Sequence, residues 1–370
     1  MAVFVFVHGW KHNAGFNDSS VVQFRDFLSR AAENEVVGRR KVIGLYLGWR
    51  GDFTSIPLAR ETTYWARKSV AEEIGAGGAT EIFSQLHKAL VSQFESSTEP
   101  ELADKNSYVI IGHSFGGAIV LSALHDVLLK DLVAANTSVG GGPNPCARVN
   151  RFADALVLLN PAIEANKVIL LKEAAARCSF ENDQNKLMHV LSSEGDRATR
   201  IFFPIGQYAN LTSPLGPKKL KRRINGKDII LDERRLDVET AGNLQQIRTS
   251  FLSFDNKTKN WKIADCGDGL AQCGVVAAAQ KENHIATSAN DPLAFIKTDS
   301  NFMRNHGDVF NCYVQSFITA VIFENQSIAM QRGSMPYTEQ RIEGCTHNDF
   351  KFNSCFYNQL DDYDCAVPGS

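Results

Sequence analysis

Short hydrophobic runs alternate with longer stretches of helical periodicity over about the first 205 residues of the chain. The runs are rich in β-branched and aromatic residues and end in turn residues, which is typical of strands buried on both faces. They predict strands at residues 3–7, 41–49, 108–112, 155–159 and 187–192. The intervening periodicity predicts helices at residues 21–34, 69–94 and 118–129. We therefore expect an α/β fold, a mostly parallel sheet flanked by helices, with its ligand site at the carboxyl ends of the strands.

The pattern loosens between residues 201 and 300, where prolines, a basic run and a loop rich in glycine and aspartate interrupt it. One more strand is indicated at residues 247–254, and we expect insertions between the late strands, part of which form a lid. A closing helix is predicted at residues 308–323. We expect residues 1–330 to form one domain and residues 331–370 to form an irregular C-terminal extension.

The charge balance argues against a polyanionic partner. Lysine and arginine total 39 and aspartate and glutamate total 41, a net charge of −2, so no global field recruits nucleic acid or an anionic membrane. The basic run at residues 218–223 is the local exception, and a solvated loop is the simpler interpretation. No apolar run approaches the ~18 residues of a transmembrane helix. A neutral or small substrate fits better, and the oligomeric state is not indicated.

Eight cysteines are too sparse for a disulfide framework in a chain of 370 residues. Cys266 and Cys273 flank a glycine-rich loop and three more cysteines lie in the tail, so one or two bridges are open to the chain. Zinc is disfavoured, because no C-x-x-C pair is present and Cys345 with His347 supplies too few ligands. The start lacks a basic leading region and a cleavage site, so we expect a cytoplasmic protein, or a secreted one if a leader was removed.

A serine lies at the junction of a predicted strand and a predicted helix, within the sequence Gly112-His113-Ser114-Phe115-Gly116. This matches G-x-S-x-G, a turn so sharp that the serine is strained and the glycines leave room for neighbouring backbone. The positive end of the following helix favours a developing oxyanion. Ser114 is therefore the candidate nucleophile; the alternative is a helix start with accidental glycines.

This turn, together with His8-Gly9-Trp10 after the first strand, resembles the α/β-hydrolase superfamily. The resemblance covers the chain to about residue 205 and returns near residue 306. It implies an oxyanion hole formed by the backbone N–H groups of Trp10 and Phe115, although His8-Gly9 alone would also fit a plain turn. The family's first two strands have no counterpart here, as in cutinase-like members with a shortened sheet or in a chain that has lost a leading segment.

The resemblance also implies the chain order serine, acid, histidine for the catalytic groups. Asp196 follows the fifth predicted strand, where the family places its acid. Glu164, after the preceding strand, and Glu194 are the alternatives, and a local capping role for Asp196 stays open.

His306 is the candidate base, because it lies in a loop just ahead of the predicted closing helix. His284, in the insertions, and His347, in the tail, are the alternatives. His189 lies within a predicted strand and is expected in the core. His113 belongs to the turn itself, where it packs under Ser114 and does not serve as its base.

We expect a serine hydrolase that cleaves carboxylic esters through an acyl-enzyme on Ser114, an esterase or a lipase, without metal or organic cofactor. Amide or thioester hydrolysis by the same residues is an alternative, and so is a non-catalytic binding protein on this scaffold. The expected partner is a small-molecule or lipid-like ester. Side chains near the predicted strand ends are candidates for the pocket, although packing explains each one singly: Lys11, His12, Trp49, Phe53 and Trp65.

Overall fold

The computed structural model describes residues 1–33, 41–51, 64–90, 107–136, 145–181, 184–210, 218–224, 227–255, 260–266, 273, 283–285 and 290–331. In chain order, the strands and helices of these residues are β1 (Ala2–Val7), α1 (Ser19–Glu33), β2 (Val42–Leu47), α2 (Tyr64–Ile74), α3 (Thr80–Leu90), β3 (Ser107–His113), α4 (Phe115–Ala135), β4 (Ala155–Leu159), α5 (Asn166–Ala175), β5 (Met188–Ser193), α6 (Phe203–Asn210), β6 (Lys219–Ile224), β7 (Lys227–Asp232), α7 (Glu233–Val238), β8 (Ser250–Asp255), β9 (Asn260–Asp265), β10 (Leu293–Thr298) and α8 (Cys312–Gln331). Short π-helical segments at Gly75–Ala79 and Ala198–Phe202 lead into α3 and α6.

The main sheet has eight described strands in the order β2-β1-β3-β4-β5-β10-β8-β9. Neighbouring strands are parallel except for β9, which runs antiparallel to β8. Strands β6 and β7 form a separate antiparallel hairpin. The expectation of a mostly parallel sheet flanked by helices is therefore confirmed.

Hydrophobic cores lie on both faces of the sheet, which explains the nearly continuous apolar runs of the central strands. In β1, Val5 belongs to the core beneath α2, α3, α4 and α5, whereas Phe4 and Phe6 belong to the core beneath α1 and α8. The Phe6 ring stacks on Phe24 of α1, with ring centroids 5.4 Å apart. Burial on both sides fixes the register of β1 and hence the position of the loop that follows it.

The late strands differ most from the sequence-based expectation. The strand expected at residues 247–254 begins at Ser250, whereas β9 and β10 were not predicted. Strand β10 lies between β5 and β8, and its hydrophobic run is interrupted by Lys297, which hides its strand character. The region 201–300 therefore contributes three strands to the main sheet in addition to its insertions.

The basic run was expected to be a solvated loop, but most of it forms β6. Its lysines and arginines are mostly exposed while Ile224 is buried, so the strand shows no clear alternation in the sequence. Hydrogen bonding to β7 stabilises it instead. The proposed extension after residue 330 lies outside the described residues except for Gln331.

Two disulfides lie within the described residues. The Cys266–Cys273 bridge joins the pair that flanks the glycine-rich loop, whereas Cys146–Cys178 was not predicted. Cys312 is also disulfide-bonded. A separate finding concerns helix length: none of the helices in the described part of the chain is long and apolar enough to cross a membrane.

Candidate active site

Three of the candidate residues meet at the carboxyl edge of the main sheet. Ser114 lies between β3 and α4, Asp196 follows β5, and His306 follows β10. The Ser114 Oγ atom lies 2.8 Å from His306 Nε2, and His306 Nδ1 lies 3.0 Å from Asp196 Oδ2. Bonded partners that are 192 and 110 positions apart in the sequence thus form one continuous hydrogen-bonded chain.

Backbone strain is concentrated beside this chain. Lys11, Ser114 and Asn160 have φ angles of 68°, 54° and 43° and are the non-glycine residues with positive φ among those described. They follow β1, β3 and β4, three adjacent strands of the sheet. Positive φ is unfavourable for residues with a Cβ, and such residues cluster at functional sites. The strained turn expected at Ser114 is present, with ψ at −119°.

Gly116 allows the first turn of α4 to pack directly against the end of β1. A Cβ atom at this position would lie 2.0 Å from the Val7 carbonyl oxygen and 2.7 Å from that of His8. Backbone atoms have little freedom to move away, so only glycine fits. This close approach places Ser114 next to the loop that contains Trp10.

Asp196 is completely buried and its carboxylate accepts several hydrogen bonds. Oδ1 accepts from the backbone N–H groups of Ala198, at 2.8 Å, and Thr199, at 3.2 Å. The Thr199 hydroxyl donates to Oδ2, which also faces His306. Burial alone would raise the pKa of the Asp196 carboxyl, but the bonds with His306 and Thr199 outweigh it and hold this pKa below its ordinary value. Asp196 is therefore a carboxylate at neutral pH.

The backbone of His306 is held from below by two buried side chains. His113 Nε2 donates to the His306 carbonyl oxygen at 2.8 Å, and Asn160 Nδ2 donates to the same oxygen at 3.3 Å. Burial, followed by the charge of His306, places the pKa of His113 well below 6.5, so this ring is neutral. His113 thus contacts the backbone of the candidate base and not Ser114, as expected, whereas the role of Asn160 had no signal in the sequence.

The Trp10 ring lies near the Phe115 ring, with the two ring centroids 6.4 Å apart. His8 fixes the peptide between Gly9 and Trp10. Its Nε2 accepts from the Trp49 N–H at 3.1 Å, so Nδ1 carries the proton and donates to the Gly9 carbonyl oxygen at 2.8 Å. Burial lowers the pKa of His8 to about 4, which keeps this arrangement neutral. Because C=O and N–H point in opposite directions in a trans peptide, the Trp10 N–H points away from His8.

The alternative acids and bases lie elsewhere. Glu164 forms an ion pair with Lys68 at 2.7 Å, and Glu194 is exposed. His284 Nε2 bonds the Arg248 carbonyl oxygen at 2.8 Å. His189 is buried in β5, as expected. The remaining alternative, His347, lies outside the described residues.

The candidate pocket residues have local contacts of their own. The Lys11 ammonium lies 4.4 Å from the centroid of the Trp10 ring. His12 Nδ1 lies 2.9 Å from the carboxylate of Asp18. The indole N–H of Trp49 donates to the His8 carbonyl oxygen at 2.8 Å, so this ring supports the loop after β1. The structure does not describe Phe53 or the side chain of Trp65.

The arrangement has the groups that nucleophilic catalysis requires: a hydroxyl, an imidazole within reach of its proton and a carboxylate on the other ring nitrogen. Within the described residues, no cluster of three histidines, cysteines or acids is arranged to hold a metal ion. Searches against protein-family models, curated proteins and solved structures found no match to this chain.

Proposed function

We propose that the chain is a serine hydrolase of the α/β-hydrolase kind that cleaves carboxylic esters, with Ser114 as nucleophile, His306 as base and Asp196 as orienting acid. The observation that carries this proposal is the hydrogen-bonded chain of Ser114, His306 and Asp196, with spacings of 2.8 and 3.0 Å. The strained backbone of Ser114 supports it, since a nucleophile on such a turn is presented at the sheet edge.

The mechanism follows from the hydrogen bonds. Because the Asp196 carboxylate only accepts, it fixes the imidazole proton of His306 on Nδ1 and leaves Nε2 to take the Ser114 proton. Ser114 Oγ then attacks the acyl carbon, and the proton on Nε2 passes to the departing alcohol oxygen. Water deprotonated by the same nitrogen cleaves the acyl-enzyme and restores Ser114.

We assign the oxyanion hole to the backbone N–H groups of Trp10 and Phe115. Phe115 is the first residue of α4, and the N-terminal end of a helix carries a partial positive charge that stabilises an anion. The His8 bond to the Gly9 carbonyl turns the Trp10 N–H to the opposite side. Each donor to the anionic intermediate is worth about 3 kcal/mol in comparable sites.

The strand order supports the same proposal. The six strands β2-β1-β3-β4-β5-β10 are consecutive and parallel, and the three candidate residues follow β3, β5 and β10. This is the arrangement expected of an α/β-hydrolase sheet that lacks its first two strands. Strands β8 and β9 extend the opposite edge.

The test is the hydrolysis of a short-chain and a long-chain p-nitrophenyl ester by the full chain and by Ser114→Ala. We expect activity that disappears in Ser114→Ala but persists in Ser29→Ala, which changes an exposed serine of α1. The ratio of the two rates separates an esterase from a lipase. A folded protein without activity on either ester would contradict the proposal and favour amide or thioester hydrolysis or a binding role.

The disulfides favour an oxidising compartment over the expected cytoplasm. Cytosolic reductants keep most thiols reduced, whereas Cys146, Cys178, Cys266, Cys273 and Cys312 are all disulfide-bonded. We propose that the protein acts where these bonds persist. Titration of free thiols in denatured protein purified without reductant tests this: five reactive thiols from these positions would contradict it, and none is expected.

A further inference from the structure

A buried lysine lies beside the candidate site and has no part in the mechanism above. Lys297, on β10, is only 4% exposed. Its Nζ donates to the Ser193 carbonyl oxygen at 3.1 Å and to Asn243 Oδ1 at 2.6 Å. An amine is rarely buried this deeply without a specific contact, because removing it from water is unfavourable.

The surroundings of Lys297 are mixed in charge. Burial lowers the pKa of Lys297 to about 7, and Arg248 and Arg200 act in the same direction, while Glu194 and Asp196 oppose it. An amine with or without its extra proton still donates to two acceptors. The contacts with Ser193 and Asn243 therefore persist through titration.

The hydrogen bonds continue from Lys297 to the candidate acid. The Asn243 amide oxygen accepts from Lys297 Nζ, so the amide nitrogen faces the other way. That nitrogen donates to the Thr199 hydroxyl oxygen at 3.3 Å and to the Thr240 hydroxyl oxygen at 2.7 Å. The Thr199 hydroxyl, which accepts this bond with one of its two lone pairs, donates its proton to Asp196 Oδ2.

Gly242 allows Asn243 to lie between Lys297 and Thr199. A Cβ on Gly242 would lie 1.7 Å from Ser192 Oγ, so the segment is packed tightly against β5. The close approach brings the Asn243 amide beneath the loop that holds Asp196. The contact is therefore part of the packing of the sheet and not a chance meeting of surface side chains.

We propose that Lys297 and Asn243 are positioning residues for the reaction: they orient the Thr199 hydroxyl so that its proton binds Asp196, which holds the carboxylate in place for His306. This inference rests on the proposed serine hydrolase function. Along the hydrogen bonds from Lys297 through Asn243 and Thr199, each donor points toward Asp196. Removal of any one of these side chains therefore leaves the next one without the bond that orients it.

The substitution Asn243→Asp tests the direction of the chain. It preserves size and an acceptor for Lys297, but it puts a carboxylate oxygen where Thr199 needs a donor, so the Thr199 proton is shared between two carboxylates. Lys297→Met removes the first donor, and Thr199→Val removes the last. Thr298→Val is the matched control, because Thr298 is as buried as Thr199 and follows Lys297 on β10, while its hydroxyl has no hydrogen-bond partner among the described residues.

We expect kcat on the ester to fall about 10-fold in Asn243→Asp, Lys297→Met and Thr199→Val, equivalent to ~1.4 kcal/mol of transition-state stabilisation. KM should change less than about twofold, because the substrate contacts are intact. The double variant Thr199→Val/Lys297→Met should be no slower than the slower single variant, since both act through one chain. Thr298→Val should retain kcat within about twofold.

Full kcat in both Asn243→Asp and Lys297→Met would overturn the inference, and so would losses that multiply in the double variant. A readout that does not depend on activity distinguishes a failure of this inference from a failure of the proposed function. The low-field NMR signal of the His306 Nδ1 proton reports its bond to Asp196. This signal should shift in Asn243→Asp and should not shift in Thr298→Val, even if no ester is cleaved. An unchanged signal in Asn243→Asp would refute the positioning role of Lys297 and Asn243.

Discussion

Asn160 connects three parts of the candidate site, and its replacement tests how the site is held together. Its Oδ1 accepts from the Ser193 N–H at 3.0 Å, and its Nδ2 donates to the carbonyl oxygens of Asn305 and His306 at 3.4 and 3.3 Å. The side chain is completely buried, and the backbone has φ at 43°. One residue thus links the ends of β4 and β5 to the loop of the base.

The expected loss in Asn160→Ala is about 3 kcal/mol of unfolding free energy, from two sources. The buried N–H of Ser193 loses its acceptor, which costs about 1–3 kcal/mol. Alanine also tolerates the left-handed backbone less well than asparagine, by about 1 kcal/mol. Asn160→Gly removes the same side chain without the backbone penalty and should recover about 1 kcal/mol of this loss.

Urea unfolding followed by tryptophan fluorescence measures these differences, provided that the m-value is unchanged. The kcat of Asn160→Ala should also fall by about 10-fold, because His306 keeps only the His113 bond to its carbonyl oxygen. An unfolding free energy of Asn160→Ala within about 0.5 kcal/mol of that of the parent chain, together with an unchanged kcat, would refute this role of Asn160.

Three further predictions concern stability. Replacing Cys146 and Cys178 by serine should lower the unfolding free energy by about 4 kcal/mol, the loop-closure value for 32 residues, measured by urea unfolding; a loss below about 1 kcal/mol would contradict it. The pKa of Lys297 is about 7 in the folded protein and about 10.4 in an unfolded chain, so the unfolded chain binds more protons between these values. Stability should therefore rise between pH 7 and pH 9 by roughly 2 kcal/mol, and pH-dependent unfolding of Lys297→Met should lack this rise. Gly116→Ala should lower the unfolding free energy by about 3 kcal/mol or more in thermal or urea unfolding, because its Cβ would meet the end of β1. The control Gly78→Ala, whose Cβ meets nothing within 4 Å, should stay within about 1 kcal/mol of the parent chain. Equal losses in both variants would contradict the close approach of Gly116 to β1.

The early strands could be predicted from the sequence because each central strand is buried on both faces. The apolar run at Val3–Val7 matches β1, and residues 155–159 match β4 without any shift. The later strands could not be predicted in the same way. In β10 a buried lysine interrupts the run, and its burial depends on acceptors from Ser193 and Asn243, which are distant in sequence.

The residues of the candidate site also divide into those that the sequence indicates and those that it does not. Ser114 carries a local pattern, and Asp196 and His306 were selected by their positions after strands and by chain order. Nothing local indicates Asn160 or Thr199, because their roles depend on which strands become neighbours in the sheet. A hydrogen bond between residues 160 and 306 is a property of the topology rather than of either segment.

Labelling with a fluorophosphonate, followed by mass spectrometry of the peptides, tests most directly whether Ser114 is an activated nucleophile. We predict covalent modification at Ser114 in the full chain, and strongly reduced labelling in folded His306→Ala and Asp196→Asn, because both remove the hydrogen-bonded chain that activates the hydroxyl. Labelling at another residue, or equal labelling of Ser114 in all three proteins, would contradict the account.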